Sequence, residues 1–303
     1  MEPITFDERT TASEIWLVGA GDGAEIRPSE RDPSGVLFTI RDGAPPIHVQ
    51  GLTLSGSVHV AGGRLHITRC VFGEDQAHAQ RRRSLQGSET PPPRALTVVA
   101  GDAIVEQATF LNFTGGAIAV AASGNLTLRD SQLRSNQADF GGAVLVRGGH
   151  AVVERCLIEG NRAREAGGGL HVIGGTVVLR NRTVLRGNEA SFASSISIAS
   201  AGAVSYVLPT PLAHYVFVTG LLVNRSLVTS SINVDFPFPC PGGVVGHSYA
   251  SLAQSGPWCS GVCPAGFACR AGTEVPELCP PGARVTRICK CVISPRHART
   301  GTV

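Results

Sequence analysis

Gly115-Gly116-Ala117-Ile118-Ala119-Val120, Gly141-Gly142-Ala143-Val144-Leu145-Val146, Gly167-Gly168-Gly169-Leu170-His171-Val172 and Ala193-Ser194-Ser195-Ile196-Ser197-Ile198 are four copies of one phrase, their starts 26 residues apart. A fixed period of roughly 20–50 residues marks a repeat architecture in which each unit buries its apolar face against the next. The 37 glycines and the aromatic content of 5% fit thin stacked β layers better than helices, because glycine costs helix stability.

The register follows from a second set of glycines. Gly63, Gly101, Gly124, Gly149 and Gly175 each precede an apolar pair: Leu65/Ile67, Ala103/Val105, Leu126/Leu128, Ala151/Val153 and Val177/Leu179. Residues two apart on a strand share a face, so each pair points inward. Upstream, Leu96/Val98, Ile118/Val120, Val144/Val146, Leu170/Val172 and Ile196/Ile198 do the same. Downstream come a small and a larger residue: Cys70/Phe72, Ala108/Phe110, Ser131/Leu133, Cys156/Ile158 and Thr183/Leu185, the last needing one extra residue after Leu179. Three inward-facing strands per repeat describe an all-β parallel β-helix with ~26-residue coils.

Cys70 and Cys156 share a column but lie three coils apart. At about 4.8 Å per coil that is roughly 14 Å, beyond the limit of about 7 Å between the Cα atoms of a disulfide. Both are expected to be buried thiols. Asn136, Asn161 and Asn188 each stand three residues after the larger apolar position and are expected to form a structural row: turn residues with left-handed backbone, their amides stacked as a ladder.

The expected organisation is a lead-in at 1–13, the β-helix at 14–200, a cap or neck at 201–239, a cysteine-rich module at 240–291 and a tail at 292–303. Polar, proline-terminated residues 73–93 interrupt the helix as an exposed loop, and Arg81-Arg82-Arg83-Ser84 within it reads as an incidental basic run. Seven of nine cysteines, Cys240, Cys259, Cys263, Cys269, Cys279, Cys289 and Cys291, crowd the C-terminal fifth. That density in a Pro/Gly-rich stretch implies disulfides and an oxidising compartment. Sequons at Asn112, Asn125, Asn181 and Asn224 are compatible with N-glycosylation there. The opening residues lack the basic and apolar regions of a signal peptide, so secretion implies a longer precursor. No apolar run is long enough to span a membrane.

The Gly-Gly-Ala-(Ile/Val) phrase, alternating with Leu133–Asn136, Ile158–Asn161 and Leu185–Asn188, resembles the repeats of chlamydial polymorphic outer membrane proteins and related right-handed β-helix surface proteins. The family's usual Phe before the Asn is Leu or Ile here. The resemblance implies a right-handed, pectate-lyase-like solenoid with a cell-surface, adhesion-type role. Residues Cys263 to Gly282 resemble the ephrin-receptor-like cysteine-rich repeat, a small extracellular disulfide module.

The expected function is therefore a non-catalytic extracellular or surface protein that binds a glycan or protein ligand. The alternative is a polysaccharide lyase or hydrolase of the pectin-degrading β-helix type, whose chemistry needs converging carboxylates. Asp22, Asp32, Asp42, Asp75, Asp102, Asp130 and Asp139 are instead scattered among turns. Outward positions on one face hold Thr97, Ala119, Leu145, His171 and Ser197, and on another His66, Ile104, Thr127, Val152 and Val178. Histidines 48, 59, 66 and 171 read as solitary and exposed, not as a metal site. No catalytic, cofactor-binding or metal-binding residues are assigned, and a net charge of +3 argues against nucleic acid.

Overall fold

The computed structural model describes residues 4–21, 23–28, 34–74, 77, 79–80, 84, 92–216, 221–222, 225–246, 259, 261–279, 284–285 and 291–292. Two compact units divide the chain: residues 1–207 with 227–236, and residues 208–226 with 237–303. The span 201–239, expected as one neck, is thus shared between them.

The first unit is all-β and almost wholly parallel. Its chain visits three strand tracks in a fixed order. The first three circuits are β1 (Ile4–Phe6), β2 (Ile15–Val18) and β3 (Glu25–Ile26); β4 (Val36–Ile40), β5 (Ile47–Gln50) and β6 (Thr53–Leu54); β7 (Ser57–Val60), β8 (Arg64–Thr68) and β9 (Val71–Gly73). From there a single bent strand serves the first two tracks in several circuits. These are β10 (Leu96–Glu106) with β11 (Thr109–Leu111), and β12 (Ile118–Arg129) with β13 (Gln132–Arg134) and a fourth, short strand, β14 (Gln137–Phe140). Next come β15 (Val144–Val146), β16 (His150–Glu154), β17 (Leu157–Glu159) and β18 (Arg162–Ala166); then β19 (Leu170–Arg180) with β20 (Val184–Arg186), and finally β21 (Ile196–Val207). The lead-in is already part of the first circuit, since Ile4 pairs Phe38 and Phe6 pairs Ile40. Pairing also runs past residue 200, with Val177 opposite Val204 and Arg180 opposite Val207.

Side chains from the three tracks meet in the core. Leu96, Val98, Ala103, Val105, Ala108 and Phe110 are all buried, as are their counterparts above and below. The Phe72 and Phe110 rings stack at 4.4 Å. Cys70 and Cys156 are buried and unbonded.

Local backbone chemistry makes the corners. From the second circuit on, a single left-handed residue joins the second and third tracks (Gly51, Arg69, Gln107, Asp130 and Arg155), until Asn181 and Arg182 do so together. The doubled left-handed pair is where the extra residue after Leu179 is absorbed. At the first corner the glycines stack so closely that a Cβ on Gly149 would lie 2.1 Å from the Gly124 carbonyl oxygen.

The asparagine row corrects one expectation. The left-handed residue is the one before each asparagine (Ser135, Gly160, Gly187), and the asparagines themselves turn inward and are buried. Asn136 Nδ2 donates to Asn161 Oδ1 at 2.9 Å, and Asn161 Nδ2 to Asn188 Oδ1 at 3.0 Å. Each amide also donates to a carbonyl of the preceding circuit: Phe110, Leu133 and Ile158. Buried backbone at the corner needs partners, and these amides supply them.

The insertion at 73–93 is not simply an exposed loop. Ala77, Ala79, Gln80 and Ser84 are helical and Ala79 is buried, while Arg81, Arg82 and Arg83 lie outside the described residues. Glu74 accepts from the Thr114 backbone N–H (2.8 Å) and hydroxyl (3.1 Å) where the insertion departs. Where it returns, the Pro92 carbonyl passes so close to Gly115 that no side chain fits there.

The far end is closed by residues 231–236. Leu185 and Phe236 exchange backbone hydrogen bonds, as do Ile196 and Ile232, in antiparallel bridges. The Ser194 N–H donates to Asn233 Oδ1, and the Gly187 N–H to Asp235 Oδ1.

The second unit consists of short antiparallel ladders around disulfides. His214–Tyr215 pairs Phe238–Pro239, Val244–Val245 pairs Gly261–Val262, and Phe267–Ala268 pairs Glu277–Leu278. Cys240 bonds Cys259 and Cys263 bonds Cys269. Cys279 is also disulfide-bonded. Cys289 lies outside the described residues, and Cys291 is placed only as backbone paired with Val285. Two small cores result, Ala213/Cys240/Val244/Cys259 under Tyr215 and Val245/Cys263/Cys269 under Phe267.

Candidate functional site

The outer surface of the second track is the strongest candidate. Its strand register places Trp16, His48, His66, Ile104, Thr127, Val152, Val178 and Ser205 in one continuous row. The expectation of solitary histidines is therefore corrected, because His48 and His66 are direct neighbours on adjacent circuits. The Trp16 indole stacks on the His48 ring at 4.2 Å with planes 8° apart, and His66 meets His48 edge-on at 5.7 Å. Trp16 is 53% exposed.

Polar side chains border this row. On one side Arg64, Asp102 and Asn125 follow one another, and Asn125 Nδ2 donates to Asp102 Oδ1 at 3.0 Å. Glu14 Oε2 lies 3.6 Å from His48 Nε2, and Glu106 Oε2 3.4 Å from His66 Nε2. His48 Nδ1 is buried without a hydrogen-bond partner. His48, His66, Ile104 and Thr127 of the row line a groove of about 530 Å³ together with Glu14, Arg64, Asp102 and Asn125.

On the other side of the row runs a charge ladder, Glu106, Arg129, Glu154 and Arg180. Arg129 reaches Glu106 at 3.1 Å and Glu154 at 3.4 Å. Asp130 binds Arg155 through two bonds of 2.7 and 2.8 Å. The Arg155 guanidinium holds Asp130 below the usual carboxylate range. The Asn181 amide, then Arg155 and Arg129, do the same for Glu154. Each of these carboxylates is committed to an arginine, as are Asp139 and Glu165, which share Arg164.

The first track differs. Leu145, His171 and Ser197, expected to face solvent, are buried. The cause at His171 is Phe140 of β14, whose ring lies 5.2 Å from the imidazole. Burial, then the positive charges of Arg94 and Arg147, push the His171 pKa down, and burial does so at His59. Arg94 hydrogen-bonds the carbonyls of Ile118 (3.2 Å), Gly141 (2.7 Å) and Phe140, and burial with the nearby Arg147 lowers its pKa to about 9.

Of the sequons, Asn112 is exposed at the third corner and Asn125 is exposed on the groove rim. Asn181 Nδ2 donates to Glu154 at 2.7 Å, and the hydroxyl of its Thr183 is buried and bonded to the Arg180 carbonyl. Asn224 lies outside the described residues. Among the described residues no three His, Cys, Asp or Glu converge as a metal site, and no helix is long and apolar enough to cross a membrane.

In class, then, this is an all-β chain of largely parallel strands with a disulfide-bonded C-terminal region. No family model, no curated protein and no solved structure matches it.

Proposed function

We propose that the chain is a right-handed parallel β-helix joined to an ephrin-receptor-like disulfide module, and that it works outside the cell or at its surface as a non-catalytic binder of a glycan or protein ligand. The observation that carries this reading is the open groove on the second track, lined by His48, His66 and Ile104 with Glu14, Arg64, Asp102 and Asn125 around it. Ligand sites are concave, largely apolar and fitted with a few convergent polar groups. The disulfides of the C-terminal unit support an oxidising compartment.

At the charge ladder itself the carboxylates are arranged for pairing and not for glycoside hydrolysis. A glycoside-cleaving carboxylate pair needs one member kept protonated, whereas Asp130 and Glu154 are both held in the ionised form. The test is to present the purified protein with immobilised extracellular polysaccharides and proteins, and separately with uronic-acid polysaccharides with and without calcium. Retention on at least one surface without released product is expected. Measurable turnover overturns the proposal in favour of a lyase or hydrolase.

A further inference from the structure

We infer that the open end of the first circuit is a self-association surface, on which β2 pairs antiparallel with β2 of a second copy of this chain about a two-fold axis.

Three observations carry this. First, the circuit is paired on one side only: among the described residues β1, β2 and β3 have β4, β5 and β6 as their single neighbours. The Ile15 and Gly19 N–H groups donate to the carbonyls of Pro46 and Gln50. By alternation along the strand, the N–H and C=O groups of Trp16 and Val18 therefore face away from β5. Second, the core is cut open there. Ile4, Phe6, Ile15, Leu17 and Ile26 stand in the inward columns, opposite Phe38, Ile40, Ile47, Val49 and Leu54 of the next circuit. None of those five is more than 1% exposed, whereas Ile4 is 56% exposed and Phe6, Ile15, Leu17 and Ile26 are only half-buried. Third, Ile15-Trp16-Leu17-Val18 has no charge, proline or bulge to keep another strand away. His48 covers one face of the Trp16 indole, and the other face looks outward along the stacking direction, where a further strand would lie.

The edge is complementary to itself. Directly opposite residues of an antiparallel pair share a face, so a two-fold axis at Leu17 sets Trp16 against the partner's Val18, and Val18 against the partner's Trp16. These are the residues whose backbone groups are free, and each such pair exchanges both hydrogen bonds. Both side chains point outward and are exposed, at 53% and 57%, and an aromatic facing a β-branched residue is a favourable cross-strand pair. Glu14 falls opposite Ala20 in this register, so no like charges meet on the strand. The other end of the unit does not offer the same edge, because Leu185 and Ile196 already bond Phe236 and Ile232. Association is therefore head to head, and a two-fold contact closes at two copies.

The experiment is sedimentation velocity of the whole chain at about 0.5–50 µM, a range that brackets the affinity of a modest specific interface. A reversible species of twice the chain mass is expected, running as a single chain on a denaturing gel without reductant. Trp16→Lys and Val18→Lys should each raise the dimer Kd about thirtyfold or more. Trp16→Lys combined with Val18→Glu sets opposite charges face to face in this register and should recover the Kd to within about tenfold of the unaltered chain. Val18→Ile should keep the dimer. Phe192→Lys and Val234→Lys, at other exposed apolar residues of the same unit, should leave it unchanged. Trp16 and Val18 lie outside the core, so an unchanged far-ultraviolet circular dichroism spectrum confirms that their variants fold. A monomer at every concentration, a dimer indifferent to both single variants, or growth beyond two copies overturns the proposal. So does a double variant that fails to recover. A precursor extended ahead of Met1 that sediments as a monomer overturns it as well, and assigns this face to the preceding segment.

Discussion

Asn161 shows how much one side chain can hold. Its oxygen accepts from both the backbone N–H and the amide of Asn136, and its own amide donates to Leu133 and Asn188. Asn161→Ala therefore leaves several buried groups unpaired, and roughly 3 kcal/mol of stability should be lost in urea unfolding. Gly149→Ala should cost a similar amount, roughly 3 kcal/mol. There the added methyl meets the Gly124 carbonyl, and the backbone is left-handed at φ 68°. Burial pushes the Cys156 thiol up to about 12 and raises Cys70 as well. Neither should react with a thiol reagent until the protein unfolds, which a stopped-assay labelling count checks. The inward columns and the forbidden Cys70–Cys156 bond were legible because side-chain alternation and coil spacing are local and periodic. That the asparagines sit one place past the left-handed residue was not, because sequence alone does not say which of Ser135 and Asn136 takes the unusual φ.

Between circuits, the outward rows carry alternating charge. Glu106/Arg129/Glu154/Arg180 on the second track and Arg134/Glu159/Arg186 on the third stack opposite signs at each step. A slip by one circuit would stack like charges, so the rows favour the observed register. Acid should weaken this unit in two stages. His59 and His171 have lowered pKa values when folded, so the unfolded chain binds more protons as pH falls below about 6.5, and stability declines over that window. His171→Gln should flatten this first decline in urea titrations at pH 7.5 and 5.5. The lowered Asp130 and Glu154 add a second loss as pH falls below the usual carboxylate values and through their own. The row itself was hidden in the sequence. Trp16, His48, His66 and Ile104 are separated by 32, 18 and 38 residues, so no fixed period links them. Their alignment depends on loops of unequal length between circuits, and only the pairing reveals it. The cover over His171 was equally hidden, since β14 lies outside the three-strand repeat.

At the scale of the molecule, the two units are held by different chemistry. The first has a continuous apolar core, whereas the second has two clusters built around bonded cysteines. Small domains with little core depend on such bonds. Reduction should therefore expose the region after residue 237 to protease while the parallel-strand unit stays resistant, which limited proteolysis with mass mapping reads directly. The short segment 231–236 has a further consequence. A stack of identical circuits has no intrinsic length, since each finished circuit offers the next a full row of backbone donors. By turning antiparallel at Ile232 and Phe236, the chain supplies a partner that no additional circuit can extend. It occupies backbone groups of Leu185 and Ile196 that a strand from another molecule would otherwise be free to pair.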